Sequence, residues 1–475
     1  MFASNNPISL TKALIPIFFL ISLLTYNAIL FENKDWFGEN TYHIILFLGA
    51  CLSTIIGLTN NISFSYIIKK IFSSIKSIVI PIVILLLVGA LAGTWKISGI
   101  IPSMVYYGLN LFNPSIFLPL TLLITALVSM TTGSSYTTSA TVGIALVAVG
   151  TAFNISSGMI AGAVISGAYF GDKMSPLSDT TNLAAAVGGV DLYTHIKYMA
   201  LTTVPTFMIT FVIFCLISFN IDVSTTGKIT SITSLSNTLT NDFFISPILF
   251  ITPIVVIFLA YLKIKPIIAL SSGVFLAVIF ALIFQENVLE KIDPSKIKAI
   301  FNTVFLDTNI YTEDIRIKKL YASGGMKSML WTITLTISAM IFGGSMQAIG
   351  ALSKITYVLL KKAKNIFGLF LSTIISCLGI NIAASDQYLA IILPGKMFKS
   401  GYKKSGLAAE NLSRTLEDSG TVTSALVPWN TCGAYHYGVL GVNVAEYFIY
   451  ATFNWISPFM SLIYAGLFLK IKKLK

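Results

Sequence analysis

Charge is what this chain has least of. Only 11% of its 475 residues are Asp, Glu, Lys or Arg, against 55% hydrophobic residues, and a soluble domain carries about 25% charged residues. Histidine is scarce as well: His43, His195 and His436 are scattered and form no ligand set. His195 is expected on a solvated cytoplasmic face beside Asp191 and Lys197. The four cysteines (Cys51, Cys215, Cys377, Cys432) lie in apolar runs without CxxC spacing and read as packing residues. No HExxH, GxSxG or P-loop pattern occurs, and no nucleophile, base and metal ligands converge. The expectation is therefore a chain that is not an enzyme and needs no cofactor.

What fills the chain instead is apolar runs long enough to cross about 30 Å of hydrocarbon, recurring from end to end. Backbone groups in lipid must bond within their own segment, so such runs become helices. The fold class is an all-α polytopic membrane protein. The net charge of +12 does not point to nucleic acid, because its lysines sit in short loops and at the C-terminal end (Lys470, Lys472, Lys473, Lys475). That is the pattern of positive-inside topology. The first run, Ile8 to Leu30, is too long for a signal-peptide core and is read as a retained helix.

A faint duplication runs through the chain. Gly93-Thr-Trp-Lys-Ile-Ser-Gly99 lines up with Gly344-Ser-Met-Gln-Ala-Ile-Gly350, and Ser129-Met-Thr-Thr-Gly-Ser-Ser-Tyr136 with Asn381-Ile-Ala-Ala-Ser-Asp-Gln-Tyr388. Each copy then has a second polar interruption, at 172–182 and 414–431. The shared order and spacing indicate two halves, 1–220 and 221–475.

Charge orients them. The loop after the first run carries Glu32, Asp35 and Glu39 against Lys34, and the next carries Lys69, Lys70 and Lys76. Helices are expected at about 8–30, 41–60 and 78–95, with the N-terminus cytoplasmic. Lysines flank both ends of 367–396 (Lys361, Lys362, Lys364, then Lys399, Lys403, Lys404), so this segment enters and leaves on one side as a re-entrant hairpin. Its counterpart, 115–150, is flanked by loops without Lys or Arg and should enter from outside. The result is an inverted repeat of two five-span halves. Each has a short interfacial helix (97–110, 353–364), a re-entrant hairpin and a broken helix (157–190, 405–438), and both termini are cytoplasmic. The 286–328 loop is external in this scheme although it is nearly neutral. An odd number of spans per half is the usual skeleton of a secondary transporter with its site at mid-membrane.

The polar breaks hold the chemistry. Residues 171–182 supply Asp172, Ser175, Ser178, Asp179, Thr180, Thr181 and Asn182, with Pro176 removing a backbone donor between the two carboxylates. The alternative makes Asp172–Lys173 a structural pair near the interface, with Asp179 alone at depth. The first hairpin tip, around Gly133, Ser134 and Ser135, offers hydroxyls and unwound carbonyls suited to a hard cation; small residues there also suit close helix packing. In the second half, Arg414 stands three and four residues from Glu417 and Asp418, the spacing of an internal ion pair. Asp418, Thr421 and Asn430 are its candidate cation ligands. At the second tip, Ser385 is followed by Asp386, which either reaches the site or caps a half-helix.

Burial disfavours a bare carboxylate, so an Asp at depth holds a proton when no cation is present and surrenders it when Na+ arrives. One group accepting either ion, never both, is a minimal proton antiporter. The site is thus expected to hold Na+ at Asp172 and Asp179.

The run Gly171-Asp-Lys-Met-Ser-Pro-Leu-Ser-Asp-Thr-Thr-Asn-Leu-Ala184 resembles the signature of NhaC-type Na+/H+ antiporters, within the ion transporter superfamily. Glu417-Asp-Ser-Gly-Thr421, continuing to Pro428-Trp-Asn-Thr431, resembles that family's second signature, and Ser98-Gly-Ile-Ile-Pro102 is also similar. The resemblance implies a bacterial cytoplasmic-membrane exchanger of Na+, or Li+, for H+, with Asp172, Ser175, Ser178, Asp179 and Thr180 in the transport site. The lipid bilayer and small ions are its expected partners; a homodimer is compatible with the sequence and not required by it. The family also resembles transporters of organic acids such as malate and lactate. Na+- or H+-coupled carriage of a small organic anion or amino acid therefore stands as the alternative, with Arg414 or Lys173 meeting its carboxylate.

Overall fold

The structure is a computed structural model that describes residues 8–30, 40–219, 236–309 and 322–474. Among these residues the chain is helical apart from a two-stranded ribbon, Thr308–Asn309 against Ala322–Ser323. Among the described residues nine helices are long and apolar enough to cross a bilayer, or ten if Ser236–Asp242 and Pro247–Tyr261, bent by 86°, form one span. Large apolar side chains such as Phe18, Phe47, Ile55, Leu127, Met208 and Phe275 stay exposed. A soluble protein avoids so wide an apolar surface, whereas lipid solvates it. The molecule is a multi-pass membrane protein.

The expected helices are present at Leu10–Leu30, Thr41–Thr59 and Val79–Ile97. Short helices occupy Ile100–Leu111 and Ala351–Lys362, each entered through a left-handed glycine, Gly99 and Gly350. Three local readings change. The stretch holding Lys69, Lys70 and Lys76 is a helix, Phe64–Ser77, capped by the Ser63 side chain. The 286–328 connection contains helices Glu286–Ile292 and Lys296–Phe305 besides the ribbon. The second hairpin's return arm runs Gln387–Lys404, beyond 396, because Pro394 is tolerated inside it. The acidic loop with Glu32, Asp35 and Glu39, the boundary between halves at 220/221 and residues 310–321 lie outside the described residues.

In the first half, helix Phe117–Thr132 meets helix Ser135–Ala152 at Gly133, and the second helix contains a π-helical turn, Ser139–Gly143. Phe117–Thr132 packs against Ser157–Met174 through Gly167 and Gly171. A Cβ at Gly171 would lie 2.2 Å from the Ala126 carbonyl oxygen, so only glycine permits this approach.

Local features recur 252 residues apart. Gly133 and Ser385 are both left-handed, with φ of 67° and 59°. Ser134 and Asp386 each cap the helix that follows, accepting from Thr137 N–H and Leu389 N–H. Ser129 Oγ donates to the Ala168 carbonyl (2.6 Å), and Asn381 Nδ2 donates to the Gly420 carbonyl (2.8 Å). Ser178 and Asn430 each cap the helix after a broken-helix proline.

Candidate functional site

The first broken helix ends at Met174. Ser175 is extended (φ −87°, ψ 129°), Pro176 lacks an N–H, and Ser178 restarts the helix as the cap of Asp179–Gly188. The turn at Gly133, the expected tip of the first hairpin, presses into this gap: a Cβ on Gly133 would lie 2.5 Å from Leu177 Cβ. The helices on either side, Pro114–Thr132 and Ser135–Ala152, are each long and apolar enough to cross a bilayer. A similar break lies at residues 409–440. Its helix Ala409–Leu416 passes into a π-helical turn, Glu417–Thr421, then a 3-10 turn, and restarts at Thr431–Leu440. The expected tip of the second hairpin binds that break through Thr431 N–H to the Ser385 carbonyl (3.0 Å) and Trp429 Nε1–H to the Ile382 carbonyl (2.8 Å).

Both tips and both breaks border one cavity of about 450 Å³. Asp172, Asp179 and Asp386 line it, and all its charged lining residues among those described are acidic. Ser134, Ser135, Thr180 and Thr431 add hydroxyls, while Ser73, Ser74, Ser77 and Gln347 form the facing wall. The N-terminal ends of four half-helices (from Ser135, Asp179, Gln387 and Thr431) reach this cavity. Their positive dipole ends stabilise carboxylates placed there. A second cavity of about 450 Å³ lies between Lys96, Trp331 and Tyr437, and Lys96 is its only charged lining residue among those described.

The three carboxylates differ. Asp172 is buried; its Oδ2 accepts from Ser135 N–H at 3.1 Å, and its Oδ1 has no hydrogen-bond partner. Asp179 is exposed to the cavity rather than buried. Its Oδ1 accepts from Thr180 N–H (2.9 Å) and its Oδ2 from Tyr388 O–H (2.5 Å). Asp386 lines the cavity and its side chain also caps Gln387–Lys404.

Other candidates lie aside. Ser175 Oγ accepts from Leu177 N–H and shapes the turn, and the Ser178 and Thr180 hydroxyls bond each other at 3.1 Å. Thr421 is buried away from the cavity lining, its Oγ1 unpartnered and its carbonyl accepting from Gln387 Nε2. Asn430 braces the second break, donating to the Asn381 carbonyl at 3.0 Å.

Asp418 is engaged elsewhere. Lys173 Nζ meets its Oδ1 at 2.5 Å with both side chains fully buried, and Thr202 and Ser461 donate to its Oδ2 at 2.8 and 2.6 Å. This corrects the expected ion pair of Arg414 with Glu417. The Arg414 guanidinium nitrogens and both Glu417 carboxylate oxygens are buried without hydrogen-bond partners, and Arg414 stacks 4.6 Å from the Tyr198 ring centroid instead. The three-residue rule presumes α-winding, and the helix changes to π-winding at Glu417. Lys173 likewise does not pair with Asp172. His195 is buried, not solvated, with Nδ1 2.9 Å from Ser413 Oγ.

Sequence reasoning missed Tyr388 and Tyr136, although they occupy matching positions of the duplicated tips. It also missed the wall from Ser73 to Ser77, for which hydropathy carries no signal.

The Na+/H+ antiporter family profile matches residues 167–467, which contain both breaks and the second hairpin. The chain is 37% identical to the Na+/H+ antiporter NhaC of Alkalihalophilus pseudofirmus, over 91% of both chains. It is 35% identical to NhaC of Bacillus subtilis, over 89% of this chain and 91% of that one. With the malate-2H+/Na+-lactate antiporter of Bacillus subtilis it shares 33% identity over 87% and 86% of the two chains. The acidic cavity between two broken helices is therefore found in a chain that belongs to the Na+/H+ antiporter family.

Proposed function

We propose that this protein exchanges Na+, or Li+, for H+ across the bacterial cytoplasmic membrane by alternating access. It is a transporter, not an enzyme. The carrying observation is Asp172 Oδ1, a buried carboxylate oxygen without a partner at the wall of a cavity whose charged lining is acidic. An unsatisfied buried acceptor is costly and is relieved by a proton or by a cation. Na+ bound there, with Asp179 and the tip hydroxyls, displaces the proton, so the two ions take turns. Ser175, Ser178, Thr421 and Asn430 act by holding the breaks open. Asp418, bound to Lys173, sets how the breaks sit and does not meet the ion.

The conformations and contacts repeated 252 residues apart support reading 1–220 and 221–475 as two halves. With five spans each, they are inverted, and both termini are cytoplasmic. Alternating access is then rocking of the tips and breaks against the remaining helices.

A second reading, transport of a small organic anion, draws on the four half-helix N-termini at the cavity and on the malate/lactate relative. Against it, those termini are already capped by Ser134, Ser178, Asp386 and Asn430, and Arg414 does not line the cavity.

Proteoliposomes holding a pH dye separate the two. NaCl or LiCl should move protons, KCl should not, and Asp172→Asn should abolish the response while the protein still inserts. A response to sodium malate or lactate but not to NaCl would overturn the exchange reading.

A further inference from the structure

Two tyrosines cross the cavity in opposite directions. Tyr388, two residues past the capping Asp386, donates to Asp179 Oδ2 at 2.5 Å and so reaches the first broken helix from the second hairpin. Tyr136, two residues past the capping Ser134, donates to Cys432 Sγ at 3.1 Å, reaching the second broken helix from the first hairpin. Cys432 in turn donates to Gln387 Oε1 at 3.1 Å. Each hairpin is thereby tied to the broken helix of the other half.

The ties end on different chemistry. A thiol sulfur is a weak acceptor that a hard cation does not seek. A carboxylate oxygen accepts a hydrogen bond and also coordinates Na+. The other oxygen of Asp179 is held by Thr180 N–H, and Tyr388 lines the same cavity as Asp179, so the hydroxyl occupies a carboxylate oxygen at the cavity wall. Its hydrogen presents positive charge where a cation would sit.

We propose that Tyr388 is a cation-released latch, a positioning residue that holds the second hairpin to the first broken helix until Na+ takes its place on Asp179. This rests on the exchange reading, from which it takes the ion site. Filling the site removes the hydroxyl tie at the tip, while the return arm stays packed on Asp179–Gly188 through Gly395 and Val187, so the loosening is confined to the tip. The tie on Cys432 has no such sensitivity, which makes the device one-sided despite the duplicated tips.

The test compares Tyr388→Phe with the wild-type full-length protein by equilibrium 22Na+ binding and by hydrogen exchange of peptides spanning 384–390. Losing a hydrogen bond to a charged group corresponds to roughly tenfold in affinity, so the variant should bind Na+ about tenfold more tightly. Na+ should speed amide exchange at the tip in the wild type and leave it unchanged in the variant. Unchanged or weaker Na+ affinity, or a wild-type tip indifferent to Na+, overturns the latch. Tyr388→Leu serves equally if the Phe variant is not recovered. Wild-type protein that neither binds Na+ nor moves protons defeats the exchange reading itself. Wild-type exchange with an unaltered Tyr388→Phe variant defeats only the latch.

Discussion

Asp172 and Lys173 are adjacent in the chain and serve different faces of one helix. The carboxylate borders the cavity, while the ammonium turns inward to Asp418, 245 residues away. Ser457 also bonds the lysine at 3.3 Å. Removing one partner of a buried pair strands the other charge and costs about 3–5 kcal/mol, whereas replacing both by apolar groups is often neutral. Lys173→Met should therefore lower the thermal unfolding midpoint in detergent sharply, and Lys173→Met with Asp418→Leu should recover most of it. If the double substitution is as unstable as the single one, the ion pair is not what holds these helices together. Adjacency in sequence told nothing of this pairing. Successive helical side chains differ by about 100°, so neighbours face different environments.

At the scale of elements, most of the site's framework was legible. The breaks at 175–178 and 427–430 coincide with Pro176 and Pro428, each of which lacks the N–H an unbroken helix would use, although Pro205 and Pro394 sit inside continuous helices. The tips follow from small residues able to adopt left-handed backbone, which Gly133 does readily and Ser385 does with strain. The Arg414–Glu417 pair was misread because spacing alone does not report a change from α- to π-winding. Close packing supplies the test at this scale. Gly171→Val would push a side chain into backbone of the first hairpin, and overpacking costs about 1–3 kcal/mol. Gly379, in the second hairpin, has nothing within 4 Å of the same position, so Gly379→Ala should be nearly neutral. Unfolding midpoints in detergent should order the two variants in that way; the reverse order would mean the hairpin does not pack through Gly171.

Across the whole molecule, the inversion of the halves is the claim that orientation can refute. With native cysteines replaced by serine, a cysteine at Asn113 should react with an impermeant thiol reagent from outside, and one at Ser405 only from the cytoplasmic side. Both positions are exposed, so access is not limited by burial. Labelling of both from one side would remove the inverted arrangement, and alternating access by rocking of the tips and breaks would go with it.

The spans, their interruptions and the duplicated tips were set by the sequence alone, because hydropathy, proline and left-handed backbone act within a few residues. Which charge meets which, and which carboxylate oxygen is left open, was decided only when segments hundreds of residues apart packed together. Lys173 meets Asp418 rather than Asp172, and Tyr388 covers Asp179 while Asp172 keeps one oxygen free. Those outcomes depend on the direction of each side chain in the packed bundle, which no local pattern encodes.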